Sequence, residues 1–305
     1  MSSVRGTVRE TGGGVYVVAL DGGRSVEASI RGRLRQEART GGRIVVGDHV
    51  RVSRSGSAWT IDEVEARRTV LARRGRSGRT AKVLAANLDR VFVVVALREP
   101  PATPHLIDRL LVLVESSGMH PSLVLNKADL PGAPDVARTL APLYESVGYQ
   151  VFVASVETGQ GMPALTDAFC SGASALIGPS GVGKSSLLNA IDPGLELRTG
   201  VLSRKTGTGR HTTVGSRLIE LSCGGLVADT PGFGDVGLWS VSPDAVADCF
   251  PDFASLRDEC RFRGCAHVRE PECAVRRAVE EGRVPASRYE SYLALRAEAM
   301  DAEAR

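Results

Sequence analysis

The feature that most limits how this chain can fold is the order of four short motifs. Asn126-Lys127-Ala128-Asp129 comes first, and the run Gly178-Pro179-Ser180-Gly181-Val182-Gly183-Lys184-Ser185 follows it. His211-Thr212-Thr213 and then Asp229-Thr230-Pro231-Gly232 complete the set. The glycine-rich run follows a β-like stretch (175–177) and opens a helical one (184–191), the context of a phosphate loop. In the usual sheet of this kind the phosphate loop comes first and the Asn-Lys-x-Asp motif comes late. Here the order is rotated, so the fold is predicted to be a circular permutation.

The pattern around the motifs supports a doubly wound sheet. Strand candidates at 91–96, 122–125, 151–154, 175–177, 216–221 and 226–228 alternate with helical stretches near 105–117, 134–147, 163–170 and 184–191. Such alternation predicts a mostly parallel α/β sheet over 87–239. Residues 1–70 read differently. Short β-like runs at 15–20, 25–30, 44–46, 49–52 and 59–64 are separated by glycine turns, which fits a small OB-like β-barrel. An SH3-like barrel gives a similar pattern. Between the two, 71–86 is expected to be a basic linker, because Arg67, Arg68, Arg73, Arg74, Arg76, Arg79 and Lys82 crowd one stretch. It reads either as a solvated connector or as a contact for nucleic-acid phosphates. Residues 240–305 turn helical and form a third unit.

The chemistry of each motif follows from its residue types. The phosphate-loop glycines let backbone N–H groups curl around phosphates, with the helix N-terminus adding a favourable dipole. Lys184 would neutralise β- and γ-phosphate charge, Ser185 would ligate Mg²⁺, and Ser186 extends the nucleotide-contacting set. The Asp129 carboxylate can accept hydrogen bonds from guanine N1–H and the 2-amino group. Adenine would leave that carboxylate unpaired, so GTP is favoured over ATP. Lys127 can pack along the base, Asn126 can tie neighbouring loops together, Ala128 completes the motif, and Ser155 is placed to contact guanine O6. Asp229 is expected to hold Mg²⁺ through water, and the Gly232 N–H to sense the γ-phosphate. The next residue is Phe233, which cannot polarise a water molecule. His211 is therefore the candidate catalytic residue, a solvated loop histidine being the alternative, and Thr213 the threonine that closes over Mg²⁺.

A second constellation lies further on. Cys260, Cys265, His267 and Cys273 offer three thiolates and one imidazole within a short loop, the donor set of a closed, structural Zn²⁺ site. Cys170, Cys223 and Cys249 fall in apolar contexts and are expected to be reduced core residues. The longest apolar runs, such as 91–97, are too short to span a bilayer, and residues 1–20 carry no signal core. The expected location is the cytoplasm, and nothing in the sequence argues against a monomer.

Barrel, permuted nucleotide domain and Cys-Cys-His-Cys unit together resemble the small-ribosomal-subunit biogenesis GTPases, the RsgA or YjeQ family. The resemblance extends to Ala85-Ala86-Asn87-Leu88-Asp89, Gly237-Leu238-Trp239 and Arg288-Tyr289-Glu290-Ser291-Tyr292-Leu293. It implies a GTPase that binds the 30S subunit and its 16S rRNA late in maturation. Hydrolysis to GDP would be stimulated by the subunit and coupled to release of the protein or of other assembly factors. It also implies a catalytic role for the histidine before the paired threonines, His211 here. The barrel starts almost at Met1, whereas some members carry an extra basic tail. The competing readings are an RNA-binding module that uses nucleotide as a gate with negligible turnover, a phosphate-loop kinase or ATPase, and a GTPase acting on tRNA or DNA.

Overall fold

The computed structural model describes residues 3–30, 43–74, 81–197, 216–229 and 241–304. Five strands, β1 (Val4–Gly12), β2 (Val15–Leu20), β3 (Ser25–Ile30), β4 (His49–Ser55) and β5 (Ala58–Val64), run in the order β1-β2-β3-β5-β4. Pairing of β4 with β1 closes them into a barrel. Gly13 and Gly14, both at positive φ, make the two-residue turn between β1 and β2 that strand twist favours. Val8, Val18, Val50, Val52 and Ile61 point inward and are fully buried.

The stretch 44–46, expected as a strand, contributes only a single bridge from Val46 to Ala85. A buried carboxylate organises it instead of a ladder. Asp48 Oδ2 accepts from the Val45 N–H at 2.8 Å, and the two oxygens receive Arg67 Nε at 2.7 Å and Nη2 at 2.9 Å. Residues 71–86 are likewise not a plain linker. They hold most of β6 (Val70–Arg74) and all of β7 (Ala81–Ala86), an antiparallel pair in which Leu71 and Leu84 are buried. Arg67 and Arg68, counted among the cations available to a ligand, are instead held by Asp48 and Asp89.

The second half of the sheet comprises β8 (Arg90–Ala96), β9 (Pro121–Asn126), β10 (Gln150–Val153), β11 (Ala173–Ile177), β12 (Arg217–Glu220) and β13 (Leu226–Asp229), ordered β10-β9-β8-β11-β13-β12. All neighbours are parallel except β12 and β13. After Arg90, strand β8 is apolar and buried because both its faces are covered. Phe92, Val94 and Ala96 face a core built with α3 (Met162–Cys170) and α4 (Lys184–Ile191). Val91, Val93 and Val95 face α1 (Pro104–Glu115) and α2 (Ala133–Ser146).

Two findings change the expected division into separate units. β1 pairs with β12, so barrel and nucleotide domain share one eleven-stranded sheet. The C-terminal helices α5 (Pro251–Arg257), α6 (Ala274–Glu280) and α7 (Ala286–Glu303) contribute Phe253, Val275, Tyr292 and Leu295 to the same core as α1 and β8.

Cys170 and Cys223, expected to be reduced core residues, are joined by a disulfide; Cys170 is only partly buried and Cys223 is exposed. The α3 C-terminus and the β12–β13 turn meet there, which sequence 53 residues apart could not reveal. Cys249 is buried as expected. Among the described residues no helix is long and apolar enough to cross a membrane.

Candidate nucleotide site and metal centre

Three loops meet at the C-terminal ends of β8, β9 and β11, where doubly wound sheets bind ligands. The loop after β11 needs its glycines. Gly178 sits at φ 151°, and a Cβ there would lie 2.0 Å from the Val94 carbonyl oxygen. Gly183 sits at φ 96°, and its Cβ would lie 2.4 Å from Asn126 Nδ2. That close approach is a contact between the two motifs, because Asn126 Nδ2 donates to the Val182 carbonyl at 2.8 Å. Among the described residues the Asn126 Oδ1 atom is buried with no partner, an orphan acceptor at the junction.

Lys184 opens α4 and folds back, donating from Nζ to the carbonyls of Gly178 and Pro179 at 2.7 Å each. Burial lowers its pKa. A phosphate oxygen would be a stronger acceptor for that ammonium than either carbonyl. Ser185 is buried beside it. The opposite rim is the 126–129 loop. Lys127 adopts φ 60° and donates from Nζ to the Glu99 carbonyl. The Ala128 N–H reaches the Ala154 carbonyl at 3.1 Å. Fully buried Ser155 donates from Oγ to Asp129 Oδ1 at 2.6 Å and accepts from the Thr158 N–H at 3.2 Å. Ser155 thus aims the Asp129 carboxylate, where sequence had suggested a contact to the base. Asp229 ends β13; burial pushes its carboxyl up to about 6, with Arg217 opposing. His211, Thr213 and Gly232 lie outside the described residues.

The structure therefore brings together Asn126, Lys127, Ala128, Asp129, Ser155 and the run 178–186. The donor set fits a guanine nucleotide with Mg²⁺: an ammonium and loop N–H groups for phosphate, a fixed carboxylate for the base, and Ser185 with Asp229 for the cation. Arg217 was not singled out from sequence, and neither was Gln160, whose carbonyl accepts from the Ser155 N–H at 3.0 Å.

In the second cluster the potential ligand atoms of Cys260, Cys265, His267 and Cys273 all lie within 4.8 Å of one another. His267 Nδ1 stands 3.3 Å from Cys273 Sγ and 3.6 Å from Cys260 Sγ, so this nitrogen faces the sulfurs. Burial and the neighbouring thiols push the Cys265 thiol up to about 12, the cost of crowding three sulfurs that a cation would offset. The surrounding residues hold the loop in shape. Tyr289 Oη donates to the His267 carbonyl at 2.7 Å, and Tyr292 Oη donates to that of Ala266. Glu270 accepts from the N–H groups of Ala266, Val268 and Arg269; against some burial, these donors hold its carboxyl down at about 2. Both tyrosines lie in the 288–293 stretch, whose structural role sequence alone did not disclose.

Residues 64–239 match the family model described as RsgA GTPase. The chain is 46% identical over 303 residues to the small ribosomal subunit biogenesis GTPase RsgA of Gemmatimonas aurantiaca, covering 98% of each protein. It is 41% identical over 301 residues to the protein of that name in Moorella thermoacetica, covering 98% of this chain and 99% of the relative. Among solved structures it resembles YjeQ from Thermotoga maritima with TM-score 0.81 and 32% identity, over 98% of this chain and 99% of the other. It also resembles YloQ, described as a circularly permuted GTPase, with TM-score 0.78 and 29% identity, over 98% and 96%.

Proposed function

The chain belongs to the RsgA GTPase family, and from that premise we propose that it hydrolyses GTP on the small ribosomal subunit during late maturation. The observation that carries this reading is the junction of Asn126 with Val182 and Gly183. It seats the base-reading loop against the phosphate loop although the two occur in reversed sequence order. One nucleotide can then be held at both ends at once.

In the mechanism, Asp129, aimed by Ser155, accepts from the guanine N1–H and 2-amino group. Lys184 leaves its two loop carbonyls for the phosphates, and the 178–186 backbone lines them. Ser185, Asp229 and Thr213 are the residues that would hold Mg²⁺, which when bound offsets the charge developing on the phosphates. His211 orients the attacking water, and the Gly232 N–H reads the γ-phosphate. Cys260, Cys265, His267 and Cys273 would hold one structural Zn²⁺, a reading supported by their donor set and mutual proximity. The subunit-bound form contacts 16S rRNA through the barrel, and through the basic residues near 71–86 that Asp48 and Asp89 do not hold. The protein acts as a monomer in the cytoplasm, and hydrolysis to GDP drives its own release or that of another assembly factor.

The test is GTP turnover by the wild type and by His211→Ala, each alone and with small subunits, large subunits or naked RNA. The expected result is slow basal turnover raised only by small subunits and lost in the variant. Equal rates with and without small subunits would remove the partner, and stimulation that survives the substitution would remove His211.

A further inference from the structure

The seam between barrel and nucleotide domain runs beside the Mg²⁺-site carboxylate proposed above. β1 carries a bulge between Val8 and Glu10, beyond which the Glu10 position pairs with Arg217 on β12. The Thr11 N–H donates to the Ser216 carbonyl at 3.1 Å. On the other edge of β12, Arg217 pairs with Asp229. Glu10, Arg217 and Asp229 therefore form one row across three strands, and side chains in such a row share a face.

The guanidinium in the middle has two carboxylates to choose from. It lies with Nε 3.4 Å from Glu10 Oε2. Among the described residues the Asp229 side chain has no hydrogen bond and no ion pair within 4.0 Å. Arg217 nonetheless acts on it electrostatically, opposing the effect of burial. The cation is thus next to the metal-site carboxylate but anchored away from it by a residue of the barrel. A second pair, Arg9 with Glu220 at 3.5 Å, crosses the same seam.

We infer that Arg217 is a positioning residue governed by the barrel: Glu10 holds its guanidinium off Asp229, leaving that carboxylate free for Mg²⁺. Any cationic ligand that draws Glu10 away lets Arg217 close on Asp229 and compete with Mg²⁺. Binding of a cationic group at that edge of the barrel and nucleotide binding in the sheet are then coupled, reciprocally, through one side chain. Both partners of the Glu10–Arg217 pair are about half exposed, so solvent screens the pair and the coupling is modest. The inference rests on the GTPase reading and on Asp229 as a Mg²⁺ residue.

The experiment titrates Mg²⁺ against binding of a fluorescent, non-hydrolysable GTP analogue to the full chain, measured as wild type, Glu10→Gln, Arg217→Gln and the double variant. With Glu10→Gln the Mg²⁺ concentration for half-maximal binding rises roughly two- to five-fold, the range of a screened ion pair. With Arg217→Gln it stays at or below the wild-type value, and the double variant matches Arg217→Gln. That non-additivity is a signature that general loosening of the seam does not give. A wild-type requirement in Glu10→Gln, or additive effects in the double variant, overturns the relay. Failure of the wild type to bind the analogue at any Mg²⁺ concentration overturns the GTPase reading itself.

Discussion

Arg288 is the residue whose replacement tests the packing argument most severely. Its side chain is 1% exposed, with Nη1 donating to Asp108 Oδ1 at 2.6 Å and Nη2 to Asp252 Oδ1 at 2.7 Å. Both carboxylates are buried, and the guanidinium carbon lies 4.5 Å from the Phe250 ring centroid. Asp108 belongs to α1, Asp252 to α5 and Arg288 to α7, so this cation joins the C-terminal helices to the nucleotide domain. Arg288→Met keeps the apolar stem and removes the charge, leaving two buried carboxylates without a counter-ion. Tyr144 Oη still donates to Asp108 Oδ1 at 2.9 Å, which offsets only part of the loss. Breaking one side of a buried ion pair costs about 3–5 kcal/mol, which for a unit of this size lowers the melting temperature by roughly 6–20 °C. The penalty depends on pH with a definite sign. Burial already raises the Asp108 pKa with Arg288 in place. Without the cation the Asp108 carboxyl rises further above its unfolded value, and the native state binds more protons than the unfolded state. The variant therefore loses stability as pH rises, and its deficit against wild type is smaller near pH 5 than near pH 8. Adding Asp108→Asn and Asp252→Asn recovers part of the loss. Calorimetric melts at the two pH values check this. A loss below about 1 kcal/mol near pH 8, or a deficit that grows on acidification, refutes the reasoning.

Two further outcomes are expected. The Cys170–Cys223 bond closes a ring with a sequence separation of 53, so reductant lowers the melting temperature. Chain entropy sets the effect at roughly 4 kcal/mol, while Cys170→Ser melts at the lower temperature with or without reductant. Ser155→Ala removes the hydroxyl that aims Asp129 and strands the Thr158 N–H. Equilibrium titration then shows guanine-nucleotide binding weakened roughly ten-fold or more, the worth of a hydrogen bond to a charged group, with adenine-nucleotide binding unchanged.

The form of the glycine-rich run 178–185 and its pairing with the 126–129 motif were legible because their constraints are local. Gly178 and Gly183 occupy backbone conformations that side-chain-bearing residues resist, and those requirements are written into eight consecutive residues. The Cys-Cys-His-Cys centre was legible for the same reason. What escaped was whatever needed partners from distant segments. β1 was missed because a strand that pairs with β2, β4 and β12 and is mostly half-exposed shows little apolar alternation. β6 and β7 were hidden by arginines whose neighbours, Leu71 and Leu84, do the packing. The hydroxyl of Ser155 could be assigned to the site but not to Asp129, since 26 residues and a helix separate them.

Only about residues 233–240 separate Gly232 from the C-terminal unit, so a shift at Gly232 is passed along the chain directly toward that unit. The packing constrains the response. Phe250, Phe253, Tyr292 and Leu295 share a core with α1 and β8, and Arg288 ties α7 to Asp108 of α1. The C-terminal helices therefore cannot swing as an independent body without exposing that core and separating a buried ion pair, a cost of several kcal/mol. A displacement arriving along the chain is met by a clamp on α1. The loop before α1 carries the Glu99 carbonyl that receives Lys127 of the base-reading motif. The clamped unit is thus tied to the nucleotide site by two routes: the covalent one, through the residues after β13, and the packed one, through α1 and Lys127. Motion along either route alone strains the other, so the C-terminal unit should respond to occupation of the whole site more strongly than to the γ-phosphate alone.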